Sequence, residues 1–163
     1  GLTEVKMLRI FLLVTTLFSF SATAWASSGV DKLLNAEKAP VGVVFEVVEG
    51  DQFALDWALP HIQAQSERLK ARFPAIKIAV VTHGNEQFGL AKSLESPKAE
   101  RIKTLAASLS RSGTPVHVCG GHADARGIPH DIFPEYIEVA PSGPAQITAY
   151  RNEGYALVIL QKP

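Results

Sequence analysis

The chain has 163 residues, with 16 basic and 16 acidic side chains and five histidines. That length suits one ordinary domain, and the even charge balance gives no electrostatic case for nucleic acid or an anionic membrane surface as a partner. Cys119 is the only cysteine, so one chain can form neither an internal disulfide nor a Cys-x-x-Cys dithiol pair.

Residues 1–26 read as an N-terminal extension and signal peptide. Lys6 and Arg9 precede an apolar run, Ile10 to Phe20, and Ala24-Trp25-Ala26 has the A-x-A form of a Sec-type cleavage site. The run falls short of the roughly 20 residues that a membrane span needs. The expected mature chain therefore starts near Ser27 in the periplasm or outside the cell, and touches the membrane only through the uncleaved leader. Residues 27–39 are small, polar and charged, and read as a partly ordered arm.

Val41 to Val48 is a near-continuous apolar run, which suits a strand covered on both faces. Asp51 is placed to cap the helix that follows. Leu55, Leu59, Ile62, Leu69 and Phe73 recur at helical spacing with Ser66 filling a gap, and Pro60 is expected to kink that helix. Ile76 to Val81 is a second strand, with Thr82-His-Gly-Asn85 at its carboxyl end. Glu86 to Glu95 reads as either loop or short helix. Ser96-Pro97 is an N-cap followed by a proline at the first helical position, Ile102, Leu105 and Leu109 form the inner face, and Gly113 stops the helix. Pro115 to Cys119 is a third strand, Tyr136 to Ala140 a fourth and Tyr155 to Leu160 a fifth, the last preceded by a short helix from Ser142. Strands alternating with helices in this way predict an α/β domain over residues 40–163, with a doubly wound, mostly parallel sheet of five strands.

Ligands in such sheets sit beyond the carboxyl ends of the strands. Asp51, His83 and Cys119 fall at those ends and His122 follows closely, although strand order is not readable from the chain. Gly120 and Gly121 are expected to turn the backbone sharply, so that Cys119 lies where a strand feeds a helix start. Unpaired N–H groups there favour an anion such as a thiolate. His122, as imidazolium, is placed to support it, and Arg126 to hold an anion nearby. A nucleophilic Cys–His pair for acyl transfer would need an orienting group, for which Asp124 is the candidate. His61, His117 and His130 read as ordinary surface or half-buried residues. No G-x-G-x-x-G or Walker pattern occurs, so no nucleotide or other cofactor is expected. Two other readings of the cysteine stay open. It could be packing in a non-catalytic oligomeric module that binds a small anion or partner protein, or one ligand of a metal-binding module with His122 and His83.

The stretch Cys119-Gly-Gly-His-Ala-Asp-Ala-Arg-Gly-Ile128 resembles the DsrE/DsrF-like family of sulfur-oxidation and sulfur-relay proteins. Sulfur-carrying members follow a cysteine with small residues, Arg-Gly and an aliphatic residue, here Ala123, Arg126, Gly127 and Ile128. Val41 to Val48, Val80 to Gly84 and Arg151 to Val158 share the resemblance, which spans roughly Pro40 to Leu160. It implies a three-layer α/β/α sandwich, assembly into homo-oligomers, and a persulfide carried on Cys119. The partners would be a sulfur donor and an acceptor, each a protein or a small sulfur compound. Only Cys119 takes its role from the resemblance; from the residue reading above, His122 is expected to pair with it in the chemistry, and His83, Gly120, Gly121 and Arg126 are expected to contact the substrate. The best-known members are cytoplasmic, whereas this chain carries an export pattern.

Overall fold

The structure, a computed structural model, describes residues 28–162; the expected leader lies outside the described residues. Five parallel strands form one sheet in the order β4-β3-β2-β1-β5: β1 Gly42–Val47, β2 Lys77–Thr82, β3 Val116–Cys119, β4 Glu138–Ala140 and β5 Tyr155–Leu160. The helices are α1 Ser28–Leu34, α2 Leu55–Arg72, α3 Pro97–Arg111, α4 Gly120–Ala125 and α5 Gly143–Asn152, with 3-10 turns over Asn85–Leu90 and His130–Ile132.

Helices lie on both sides of the sheet, as expected for an α/β/α sandwich, but the layers are unequal. Val43, Phe45 and Val47 of β1 and Ile78 and Val80 of β2 face Leu55, Leu59, Ile62 and Leu69 of α2 and Ile102, Ala106 and Leu109 of α3 in one large core. The opposite face turns Val44, Ala79 and Val81 toward Ile147 of α5. Topology explains the split. The chain steps from β1 through β2 and β3 to β4 in one direction, then returns across the whole sheet to β5. Crossovers keep one hand, so the return helix must lie on the other face.

Most local expectations hold with small shifts of boundary. The Ser96 hydroxyl accepts the Ala99 N–H at 3.1 Å with Pro97 behind it, and the Ser142 hydroxyl caps α5 by accepting from Ala145. Gly113 ends α3 at φ 89°, open only to a residue without a Cβ. Three expectations change. The arm over residues 27–39 contains a packed helix, α1, because Val30 is only 1 % exposed and joins the main core beside α2. Asp51 accepts the Phe53 N–H at 2.9 Å and so closes a turn ahead of α2; the helix itself starts at Ala54 with no side-chain cap. His117 is buried, beyond the surface or half-buried place expected, with its Nε2 2.7 Å from the Tyr150 hydroxyl of α5 and its Nδ1 3.2 Å from Glu138. Burial pushes this imidazole below its ordinary pKa, with Glu138 opposing more weakly, and burial pushes the Tyr150 phenol up to about 12.

Ser66 breaks the apolar stripe of α2 with a hydroxyl that is buried and has no hydrogen-bond partner among the described residues. An unsatisfied buried hydroxyl is a net cost, and alanine is the better helix former. Ser66→Ala should therefore raise stability by about 1 kcal/mol, read as a higher urea midpoint. A lower midpoint would show that the hydroxyl is satisfied in solution.

Candidate functional site

Parallel strands bring all five carboxyl ends to one edge of the sheet. The chain leaves β1, β2 and β3 toward the thick layer and leaves β4 toward α5. The loops after β3 and β4 thus part in opposite directions, and open α/β sheets form their ligand crevice at such a switch point. Cys119 is the last residue of β3 and stands at this divide.

Cys119 is also the N-cap of α4. Its Sγ accepts the main-chain N–H of His122 at 3.4 Å. Gly120 and Gly121 are the first residues of α4, and neither has a positive φ. They are glycines for closeness rather than for a sharp turn. A Cβ on Gly120 would stand 2.9 Å from the His130 ring and 3.1 Å from the Ala140 carbonyl, and one on Gly121 would stand 3.2 Å from the Pro141 carbonyl. The Gly121 N–H donates to that Pro141 carbonyl at 3.0 Å, which ties the two diverging loops together.

His83 joins Cys119 from the neighbouring strand. A Cβ on Gly143, the first residue of α5, would lie 2.6 Å from His83 Cβ and 3.3 Å from Cys119 Cβ. Both side chains therefore flank the same point, and only glycine fits between them. The His83 ring is anchored by Glu46 of β1, with Nε2 3.0 Å from Oε1 in a half-buried pair.

His122 lies close to the sulfur through its backbone. Its ring stacks on Phe88 with centroids 5.7 Å apart, and its Nε2 lies 3.0 Å from Asn85 Oδ1 and 3.2 Å from Arg126 Nε. One ring nitrogen cannot donate to Asn85 Oδ1 and accept from Arg126 at once. The neutral form with its proton on Nδ1 suits Arg126, and an Nε2–H form suits Asn85. Arg126 thus bonds to His122 at the end of α4. Asp124, the expected orienting group, pairs instead with His130 at 2.7 Å because the two are exposed on the same side of the loop. Among the described residues no three His, Cys, Asp or Glu side chains form a group that could hold a metal ion, so Cys119, His83 and His122 make no such set.

Sequence reasoning passed over Glu86 and Gln87, both fully buried. The Glu86 carboxylate accepts from the Thr82 hydroxyl at 2.6 Å, the Gly84 N–H at 3.0 Å and the Glu49 N–H at 2.8 Å. The Gln87 carboxamide accepts the Cys119 N–H at 2.8 Å and donates to the Cys119 carbonyl at 3.1 Å. Two consecutive polar residues running straight into the apolar Phe88-Gly-Leu90 were the available signal, since polar side chains drawn into an apolar setting must find partners. Glu86→Ala would leave three donors without an acceptor and should lower stability by about 3 kcal/mol or more. Glu86→Gln, which keeps one carbonyl oxygen, should cost less. Urea unfolding of the two variants would test this ordering.

The comparisons agree with this architecture. The pattern of the DsrE/DsrF-like family, a family associated with sulfur relay, matches residues 9–160. Comparison with curated proteins finds no match. The fold is similar to a protein of unknown function, MTH1491, from Methanobacterium thermoautotrophicum, at 24% identity and TM-score 0.58, covering 72% of this chain and 96% of that one. It is also similar to the ychN protein from E. coli, at 12% identity and TM-score 0.55, covering 73% of this chain and 99% of that one. These two likenesses carry the fold, while the match across nearly the whole sequence carries the kinship: the chain belongs to the DsrE/DsrF-like family.

Proposed function

We propose that this protein carries sulfane sulfur as a persulfide on Cys119 and passes it to a partner thiol, as a carrier or sulfurtransferase partner. The observation that carries the reading is the lone cysteine at the switch point of the sheet, its sulfur within hydrogen-bond distance of a main-chain N–H. Hydrogen bonds to the charged form favour a thiolate. In the proposed cycle that thiolate attacks the outer sulfur of a polysulfide or similar donor. A new S–S bond forms as the donor's S–S bond breaks and its remaining thiolate leaves. An acceptor thiolate then attacks the outer sulfur of Cys–S–S⁻ and restores the Cys119 thiolate. The transfer needs no external oxidant or reductant, and a second cysteine nearby would divert the persulfide to a disulfide. His83, steadied by Glu46, and the Gly120–Gly121 backbone line the approach, and Arg126 adds positive charge at the far end of α4.

One observation favours the second reading, a binding module in which Cys119 is packing: the residue is only 7 % exposed. The two readings separate by mass. With polysulfide, native protein should gain about 32 Da per sulfur, as expected for a persulfide. Cys119→Ser should lose that gain while keeping its fold. A native thiol that takes up no sulfur until the protein is unfolded would overturn the carrier reading in favour of packing.

Export is part of the same proposal. The basic residues, the apolar run and Ala24-Trp25-Ala26 support cleavage near Ser27. Self-association is also proposed, since the α5 side leaves Ile159 54% and Val48 50% exposed near the β5 edge. Protein recovered from cells should begin near Ser27 and scatter light as more than a monomer. Intact Met7 on membrane-bound material would count against export, and a monomer at micromolar concentration against assembly.

A further inference from the structure

We infer that Gln87 is the positioning residue for Cys119, its side chain replacing a missing rung of β2 and so controlling the acidity of the thiol. The inference rests on the reading of Cys119 as the working residue and names the group that sets its reactivity.

The pairing of β2 with β3 ends at Thr82 and Val118. Beyond Thr82 the chain turns away through His83 and Gly84 into the Asn85–Leu90 turn. Backbone groups of a parallel strand alternate between neighbours with a period of two. The Pro115 carbonyl accepts the Val80 N–H of β2 at 2.9 Å, so Cys119, four residues on, points its N–H and C=O to the same side, where β2 has already left. Both groups would be orphans in a buried place. The Gln87 carboxamide fills that gap with one acceptor and one donor, at 2.8 and 3.1 Å, in place of the two successive peptide groups that an extended β2 would supply.

No other side chain of this length does both without first taking up a proton. Glutamate, when ionised, keeps the bond from the Cys119 N–H but turns a lone pair on the Cys119 carbonyl, and methionine has neither group. Gln87 is itself held firmly, because it is fully buried and follows Glu86, whose carboxylate grips Thr82, Gly84 and Glu49. With the peptides on either side of Cys119 fixed, the sulfur is kept where the His122 N–H reaches it at 3.4 Å. If the Cys119 backbone relaxes, that hydrogen bond lengthens and the thiolate loses a donor, which raises the thiol pKa.

The test is a pH titration of the native full chain, following the ultraviolet absorbance of the thiolate and subtracting the same titration of Cys119→Ser. Gln87→Ala should move the midpoint upward by about one pH unit, with thiol alkylation at pH 7 slowed about tenfold. Gln87→Met, which keeps the length but brings no charge and neither hydrogen-bonding group, should move it the same way and serves as the test if the alanine variant does not fold. Thermal melting is recorded on each. A lower melting temperature with an unmoved midpoint would overturn the proposal and leave Gln87 as a packing residue. Loading of the wild type with polysulfide is measured alongside. A shifted midpoint without sulfur uptake would support Gln87 in this role and overturn the carrier reading. Uptake with an unmoved midpoint would do the reverse.

Discussion

A carboxylate with no exposed surface and no cation beside it survives only where hydrogen bonds replace its water. Glu86 has that replacement in a hydroxyl and two backbone N–H groups, drawn from the loops that follow β1 and β2. Its neighbour Gln87 reaches in the other direction and bonds to the end of β3. Two adjacent side chains therefore join the carboxyl ends of three strands. Removing either would strand several polar groups in a place that water does not reach. The rest of the site depends on this fastening, because Cys119 and His83 both sit on the ends so joined.

The second constraint is topological. Because β5 lies across the sheet from β4, the final crossover must pass on the opposite face from α2 and α3. That alone makes the loops after β3 and β4 diverge, with Cys119 on one side of the divide and Gly143 on the other. The two sides pack closely. Glycines at 120, 121 and 143 each stand where a Cβ would meet His130, Pro141 or His83. Close approach, rather than an unusual backbone angle, explains all three.

The same crossover leaves the sheet unevenly covered. One short helix, α5, covers this face, whereas α1, α2, α3 and α4 all contribute to the core on the other. It is fastened through Ile147 on Val44, Ala79 and Val81, and through Tyr150 on the buried His117. Toward β5 this face runs out of cover, which leaves apolar side chains such as Ile159 in contact with solvent. Thin cover over one half of a sheet suits burial against another surface, as the proposed assembly requires.

Periodicity and end signals are local properties, and they were enough to determine the five strands, the cap at Ser96, the helix opening at Ser142, the stop at Gly113 and the α/β class. Cys119 could likewise be placed at a strand end before a helix, because apolar alternation stops where Gly120 begins. α1 was hidden because its seven residues show too little apolar repeat, and the helix forms where Val30 enters the main core with Leu33 and Leu34 packed against it. Strand order, and with it the meeting of Cys119 and His83, was settled by which faces could be covered. The partners of charged and amide side chains were settled the same way. Asp124 took His130 rather than His122, and Glu86 and Gln87 found donors up to 37 residues away. A side chain's type is written in the sequence, but a hydrogen bond between distant residues exists only once packing has brought them together and excluded the competing water.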